Sequence, residues 1–258
     1  MLRHKYIKYV YIFLLVVVLW NYHKEIYSLI GYFIGLSLVY VGILAWGSFD
    51  VRLSYFTPIN SSAKISENKI AITFDDGPSA VTAEFLNLLR KYQVKATFFC
   101  IGTQVVKHPN ILKQIHDEGH IIGNHSMNHP NNMGFLNREL VHDELRFGQR
   151  AIEEVLNKKT KLYRPPFGVT NPTIGAVLNQ LEYVVIGWNI RSLDTVIKDP
   201  KRIAKRMYKK LKPGGIILMH DTSEHSLHAL EYFLQYLEKT DYTIVPLQEL
   251  INLKIYET

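Results

Sequence analysis

Two adjacent carboxylates, Asp75 and Asp76, close the stretch Ile70-Ala71-Ile72-Thr73-Phe74-Asp75-Asp76-Gly77-Pro78. Its first half is apolar and largely β-branched and reads as a buried strand, and Gly-Pro signals a turn. Side chains alternate along a strand, so neighbouring Asp75 and Asp76 should point in different directions. One carboxylate could then hold a cation while the other handles a proton. Further on, His125 and His129 stand four apart, the spacing of one helical turn, which suits two ligands on one divalent ion. Two imidazoles and a carboxylate leave an open position for water, the pattern of a catalytic rather than a structural site. Arg164, in Tyr163-Arg164-Pro165-Pro166-Phe167-Gly168, sits on a loop stiffened by two prolines and could hold a carboxylate bidentately. His220, in Leu218-Met219-His220-Asp221, ends a strand and could donate a proton if a carboxylate orients it. Asp194 is a candidate for that carboxylate, whereas Asp221 should point away from the same face. Taken singly, each of these groups also has an ordinary structural reading as a turn residue, a helix cap or a surface side chain.

The elements that must position them alternate. Strands are expected over 70–74, 96–101, 120–123, 162–164, 183–188, 215–220 and 242–245, and helices over 82–92, 110–118, 138–156, 173–181, 200–211 and 227–239. That alternation means an α/β fold with a parallel sheet. Asp75, His125, Arg164, Asp194 and His220 each fall at or just after the carboxyl end of an expected strand. A closed barrel gathers all such ends at one rim, whereas an open sheet gathers them only at a switch point. The expected fold is therefore a small, deformed (β/α) barrel of about seven strands.

Residues 1–48 have a different composition. Residues 9–22 and 26–46 are uncharged and apolar, separated by His23-Lys24-Glu25, and the second run has the about 20 residues needed to span a bilayer. Trp20, Tyr22, Tyr27 and Trp46 stand near the ends, where interfacial aromatics belong. A cleavable signal peptide fits poorly, because no small-residue cleavage site precedes the second run. Residues 1–48 thus read as a membrane anchor of one or two helices in contact with lipid, residues 49–68 as a linker, and residues 69–258 as the catalytic domain. The positive-inside rule places Arg3, Lys5 and Lys8 in the cytoplasm. Two spans would return the catalytic domain there, and one would place it outside; the expectation leans to an extracytoplasmic domain on a bacterial inner membrane.

The formal charge of +7 comes mainly from the amino terminus and from residues 198–212, an amphipathic helix with a basic outer face. That face is either simply solvated or suited to an anionic lipid or polymer. No nucleic-acid motif accompanies the charge, which argues against that class of partner. The single Cys100 excludes an internal disulfide and reads as a small buried residue.

Four blocks, in order, carry a resemblance: Thr-Phe-Asp-Asp-Gly-Pro at 73–78, His-Ser-Met-Asn-His at 125–129, Arg-Pro-Pro-Phe-Gly at 164–168 and Leu-Met-His at 218–220. Residues 70–250 resemble the polysaccharide deacetylase family, with its nodulation-type deacetylase homology domain; residues 1–60 take no part. The resemblance implies a deformed (β/α) barrel that removes N-acetyl, or sometimes O-acetyl, groups from sugar polymers. It implies Asp76, His125 and His129 as metal ligands, Asp75 as general base held by Arg164, His220 as general acid and Asp194 as the carboxylate that tunes it. Leu218 would line the acetyl pocket, and Phe167 and Trp188 would face substrate. The implied metal is Zn²⁺, with Co²⁺ or Ni²⁺ as alternatives. Two departures stand out: Phe167 where relatives often carry Tyr, and Thr195 after Asp194 where Trp is usual. The expected substrate is an N-acetylated glycan such as peptidoglycan. The alternatives are a formylated or acetylated lipid-linked sugar, or an inactive glycan-binding module.

Overall fold

The computed structural model describes residues 3–20 and 26–253; Tyr22, the His23-Lys24-Glu25 separator and the side chain of Tyr27 lie outside what is described. Two helices come first, α1 (His4–Trp20) and α2 (Ile26–Phe49). They run side by side, with Tyr11 stacked on Tyr40 at 4.2 Å and its hydroxyl 2.9 Å from Ser37 Oγ. The segment Ser28–Phe49, 22 residues with a mean hydropathy of 2.0, is long and apolar enough to cross a membrane. The 17 residues of α1 reach only about 25 Å at the helical rise, short of a hydrocarbon core of about 30 Å.

The rest alternates as the hydrophobic pattern requires. Strands β1 (Ile59–Asn60) and β2 (Lys69–Asp75) precede α3 (Thr82–Lys91), β3 (Thr97–Cys100), α4 (Gly102–Lys107), α5 (Pro109–Asp117) and β4 (Ile121–Asn124). Then follow α6 (Arg138–Leu156), β5 (Leu162–Tyr163), α7 (Pro172–Gln180), β6 (Val184–Ile186) and β7 (Ile190–Arg191). The chain ends with α8 (Pro200–Tyr208), β8 (Gly215–His220), α9 (Glu224–Leu237), β9 (Thr243–Ile244) and α10 (Leu247–Ile251). The main strand order is β1-β6-β5-β4-β3-β2-β8-β7, with β9 beside β2, and every strand pair is parallel. The sheet curls into a half-barrel that stays open between β1 and β7 among the described residues. The two-residue strands β1 and β7 are too short to leave a periodic trace in the sequence.

Both faces of the central strands are buried, which is why they read as continuous apolar runs. Ile70, Ile72 and Phe74 pack outward with Phe98, Phe85 of α3, Ile203 of α8 and Phe233 of α9. Ala71, Phe99, Ile186 and Ile216 line the other face, where Leu247 and Leu250 of α10 fill the curl. Residues 49–68 connect the helical pair to the sheet, but they are not loose: Val51, Tyr55 and Thr57 are buried, and β1 pairs with β6. Register sets the rim. Asp75 lies opposite Phe99 on one side and His220 on the other, and Asn124 lies opposite Cys100 and Tyr163. All parallel strands therefore deliver their carboxyl ends to one edge.

Candidate active site

β2 ends on Asp75 and the chain turns at Asp76, which has φ 76°, so the two carboxylates diverge. Next to them Gly77 leaves no room for a side chain, because an added Cβ would collide with the Asp221 carboxylate. Asp221 itself is buried and bonded by the Thr82 hydroxyl, while Ser79 Oγ donates to its backbone oxygen at 2.8 Å. It braces the turn after β2 and faces away from His220, as strand alternation requires.

His125 follows β4 directly. The expected helical turn across 125–129 does not form: the segment is a loop, with Ser126 at φ 67° and His129 at φ 51°. The left-handed residues bring His129 back over His125, with ring centroids 4.8 Å apart. Two partners hold this strained backbone. Ser126 Oγ accepts from His129 N at 3.0 Å, and Glu144 of α6 accepts from the amides of Met127 and Asn128 at 3.1 and 2.8 Å.

Asp76, His125 and His129 each present one donor atom, and these atoms lie within 4.8 Å of one another. Asp76 Oδ1 is 3.5 Å from His125 Nε2 and 3.6 Å from His129 Nε2, too long for hydrogen bonds, and it is buried with no hydrogen-bond partner among the described residues. A bare buried carboxylate oxygen facing two imidazoles fits a cation between them. His125 Nδ1 donates to the carbonyl of Arg164 at 2.7 Å, and this fixes the tautomer that leaves the Nε2 lone pair free. Burial pushes the Asp76 carboxyl up, but its interactions with His125, then with His220 and His129, outweigh it and bring its pKa to about 2. Asp76 is therefore an anion at neutral pH, as a metal ligand must be.

Arg164 follows β5 and is fully buried. Its Nη1 donates to Asp75 Oδ1 and Thr73 Oγ1, both at 2.7 Å, while Nε and Nη2 donate to the carbonyls of Ile186 and Gly187 at 3.2 and 3.0 Å. The guanidinium lies over Phe99 at 4.1 Å and near the Trp188 ring at 5.6 Å. Single-donor geometry replaces the bidentate pairing expected from sequence, because the other nitrogens are spent on backbone carbonyls.

His220 ends β8. Asp194 Oδ1 lies 2.8 Å from its Nδ1, and Asp194 Oδ2 accepts from its backbone N–H, also at 2.8 Å. Ser192 and Ser226 donate to the same carboxylate at 2.7 and 2.9 Å. Burial alone would lower the His220 pKa, but Asp194, then Asp75 and Asp76, raise it to about 9. Asp194 shifts the opposite way and is held below the usual carboxylate range by His220 and Ser192 against the effect of burial. His220 is thus an imidazolium whose Nε2 stands 3.9 Å from Asp76 Oδ2.

The remaining expected residues lie on the same rim in different settings. Phe167 is half-exposed, with φ 58°, and its ring sits 4.5 Å from that of His129. Trp188 is partly buried and packs against Gly168, and Leu218 is buried opposite Thr73 and Arg191.

Residues 62–186 match the polysaccharide deacetylase family. A peptidoglycan-N-acetylglucosamine deacetylase of Bacillus cereus is 36% identical over 195 residues, covering 73% of this chain and 91% of that protein. The chain belongs to the polysaccharide deacetylase family. A peptidoglycan-N-acetylmuramic acid deacetylase of Bacillus subtilis is 33% identical over 190 residues, 72% of each chain. A crystal structure of a peptidoglycan N-acetylglucosamine deacetylase bound to 4-naphthalen-1-yl-N-oxidanyl-benzamide superposes with a TM-score of 0.71 at 27% identity, over 77% of this chain and 98% of that one. The curled α/β half-barrel is thus that of the family, and the relatives named here are deacetylases, hydrolases of carbon–nitrogen bonds.

Residues that sequence reasoning passed over include Thr73, Glu144, Ser192 and Ser226. Thr73 alone stood inside a recognised block. The other three lie outside every block, and nothing in their local sequence marks them.

Proposed function

We propose that this protein removes N-acetyl groups from an amino-sugar glycan of the bacterial envelope, with peptidoglycan as substrate, and that residues 1–48 tether it to the membrane. The observation that carries the reading is the meeting at one rim of three unequal groups. These are an Asp-His-His cluster around a bare carboxylate oxygen, a buried Asp75–Arg164 pair, and a His220–Asp194 pair.

Asp76, His125 and His129 would hold a divalent ion, Zn²⁺ by default for this donor set and Co²⁺ or Ni²⁺ by the same chemistry. When bound, that ion supplies a Lewis acid beside the acetamide carbonyl and acidifies water. Asp75 takes the proton of the attacking water. Arg164 keeps it aligned through the 2.7 Å bond from its Nη1. The backbone N–H of Phe167 is the donor we assign to the developing oxyanion. His220, protonated at neutral pH and steered by Asp194, gives its Nε2 proton to the departing amine. Leu218 and Trp188 would bound the acetyl and sugar positions.

The test is acetate release by the full chain from peptidoglycan and from chitooligosaccharides, with and without chelator. We expect turnover that chelator abolishes and Zn²⁺ restores. Glycan binding without acetate release would instead make the protein an inactive binding module.

A further inference from the structure

The two ends of the helical pair meet the rest of the chain side by side, one at residues 55–56 and the other at Thr170. At the start of α1, His4 N donates to Tyr55 O at 3.0 Å, and the His4 ring sits 5.7 Å from Tyr55 and 5.1 Å from Phe56. At the end of α2, Ser48 O accepts from Thr170 N at 3.1 Å. Thr170 is three residues beyond Phe167, whose ring touches His129. It also immediately precedes Asn171, the N-cap of α7. One short loop therefore links the candidate metal cluster to the apolar helix, and the catalytic rim lies beside the point where that helix meets the domain.

A cleft of about 680 Å³ opens at this junction. Arg3, just before α1, and Lys5 and Lys8 from its first two turns line one side, and Gly175, Ala176 and Asn179 of α7 line the other. Among the described residues no carboxylate lines it, and the three cations form no ion pair. Two buried polar atoms of its lining residues, His4 Nδ1 and Tyr55 Oη, have no hydrogen-bond partner among the described residues. The cleft sits where the exposed apolar surface of the helical pair gives way to the polar domain. In a bilayer that is headgroup depth, and the anions abundant there are lipid phosphates.

We propose that this cleft binds the phosphate of a membrane lipid. The source is either a glycerophospholipid headgroup, which would fix the rim against the bilayer, or the diphosphate of a lipid-carried acetylated sugar. In the second case the sugar would be delivered along α7 and its N-terminal loop to the rim. The proposal deepens the deacetylase reading and rests on residues 1–48 lying in a membrane with the start of α1 on the catalytic domain's side, which departs from the positive-inside expectation for an extracytoplasmic domain. The positive charge does two things there: Arg3 and the lysines match phosphate charge, and their separation from any acid leaves that charge uncompensated until a phosphate arrives.

The test uses the full chain in neutral detergent micelles. Three probes are titrated: dihexanoyl phosphatidylglycerol, farnesyl diphosphate-linked N-acetylglucosamine, and zwitterionic dihexanoyl phosphatidylcholine. At least one anionic probe should bind saturably and well above phosphatidylcholine. R3Q/K5Q/K8Q should weaken that binding by about tenfold to a hundredfold. The charge-matched control K201Q/K205Q/K209Q, on α8 and its C-cap, should bind within about twofold of native. Selective loss for the farnesyl probe assigns the cleft to a carried sugar, and equal loss for phosphatidylglycerol assigns it to a headgroup. Native-like binding by R3Q/K5Q/K8Q overturns the proposal, as does an equal loss in the α8 control. Acetate release from chitooligosaccharide by the native chain is measured alongside. Its absence would defeat the deacetylase reading while leaving the phosphate result standing or falling by itself.

Discussion

Two histidine–carboxylate groupings share one rim and differ in how their polar atoms are satisfied. At His220, every oxygen of Asp194 is taken: the imidazole, a backbone amide and two serine hydroxyls all lie within 2.7–2.9 Å. At His125 and His129, the facing carboxylate oxygen of Asp76 stands 3.5–3.6 Å off and bonds to nothing among the described residues. Burial is costly to an unmade hydrogen bond, by about 1–3 kcal/mol for a neutral group and more for a charged one. A fold tolerates that at a site completed by something else. The closed grouping is built to keep one proton on one nitrogen, and the open one is built to be filled. Asp75 lies between them, 3.8 Å from His125 Nε2 and held from behind by Arg164.

The sharpest way to break the comparison is to remove a wall of the gap. His125→Ala should abolish stoichiometric Zn²⁺ binding and cut turnover about 10³-fold or more, since a Lewis acid contributes several kcal/mol and each 1.36 kcal/mol is tenfold. It should also remove the rise in melting temperature that Zn²⁺ gives the native chain, which is about 2.7 kcal/mol of stabilisation at a hundredfold excess over Kd. Native stoichiometry by elemental analysis in this variant would mean the gap is not the metal site. Asp75→Asn is the next largest change. It should keep the metal and lose about 10²–10⁴ in kcat, the usual contribution of a positioned base. Unfolding is followed in parallel, because the variant leaves Arg164 as a buried cation without its anion. Full turnover with retained metal would overturn the role of Asp75.

Asp194→Asn tests the closed grouping. Without the anion, His220 loses the first of the charges that raise its pKa to about 9. A general acid must carry its proton, so activity falls as pH rises through its pKa. The alkaline limb of the kcat/KM profile should therefore move to lower pH, with metal content unchanged and a loss at neutral pH of about 10–10²-fold. An alkaline limb that stays in place would show that Asp194 merely positions the ring.

Much of this contrast was legible before any coordinates. Asp75, Asp76, Arg164 and His220 announce themselves because strand alternation and strand ends dictate where they go. The half-barrel follows from the alternation of apolar runs with amphipathic helices. What was not legible was how the gap is shaped. The spacing of His125 and His129 suggests a helical turn, yet the site uses Ser126 and His129 in left-handed conformation, held by Glu144 from a different element. Side-chain-to-backbone bonds across such sequence distances leave no periodic trace. The four hydrogen bonds that close Asp194 are equally silent in sequence, which is why its role could be suspected but not its enclosure. The deformed barrel expected from the sequence is a half-barrel open between β1 and β7; those two-residue strands themselves carry no pattern.

The smallest effect on activity belongs to a histidine outside both groupings, and it tests whether a bare imidazole nitrogen alone marks a ligand. His120 is buried, accepts from Ala96 N at Nδ1 over 3.1 Å, and leaves Nε2 without a partner among the described residues. Among the described residues its carboxylate neighbour is Glu118, which acts on it through charge, is bonded by Gln114 and Arg90, and forms no ion pair with it. Burial, aided by the charge of Lys95, pushes its pKa down to about 4. The native state therefore holds it neutral, while the unfolded chain titrates near its ordinary value of about 6.5. Between those two values the unfolded state binds the extra proton, so stability that is complete above about pH 6.5 is lost as pH falls toward 4. The loss should approach about 3 kcal/mol at 1.36 kcal/mol per pK unit. His120→Gln keeps an acceptor for the Ala96 amide and has no proton to gain. Its melting temperature should fall less than that of the native chain over this pH range, with Zn²⁺ binding and kcat at neutral pH unchanged. Loss of metal from that variant would erase the distinction between an orphaned nitrogen and a gap with a carboxylate across it.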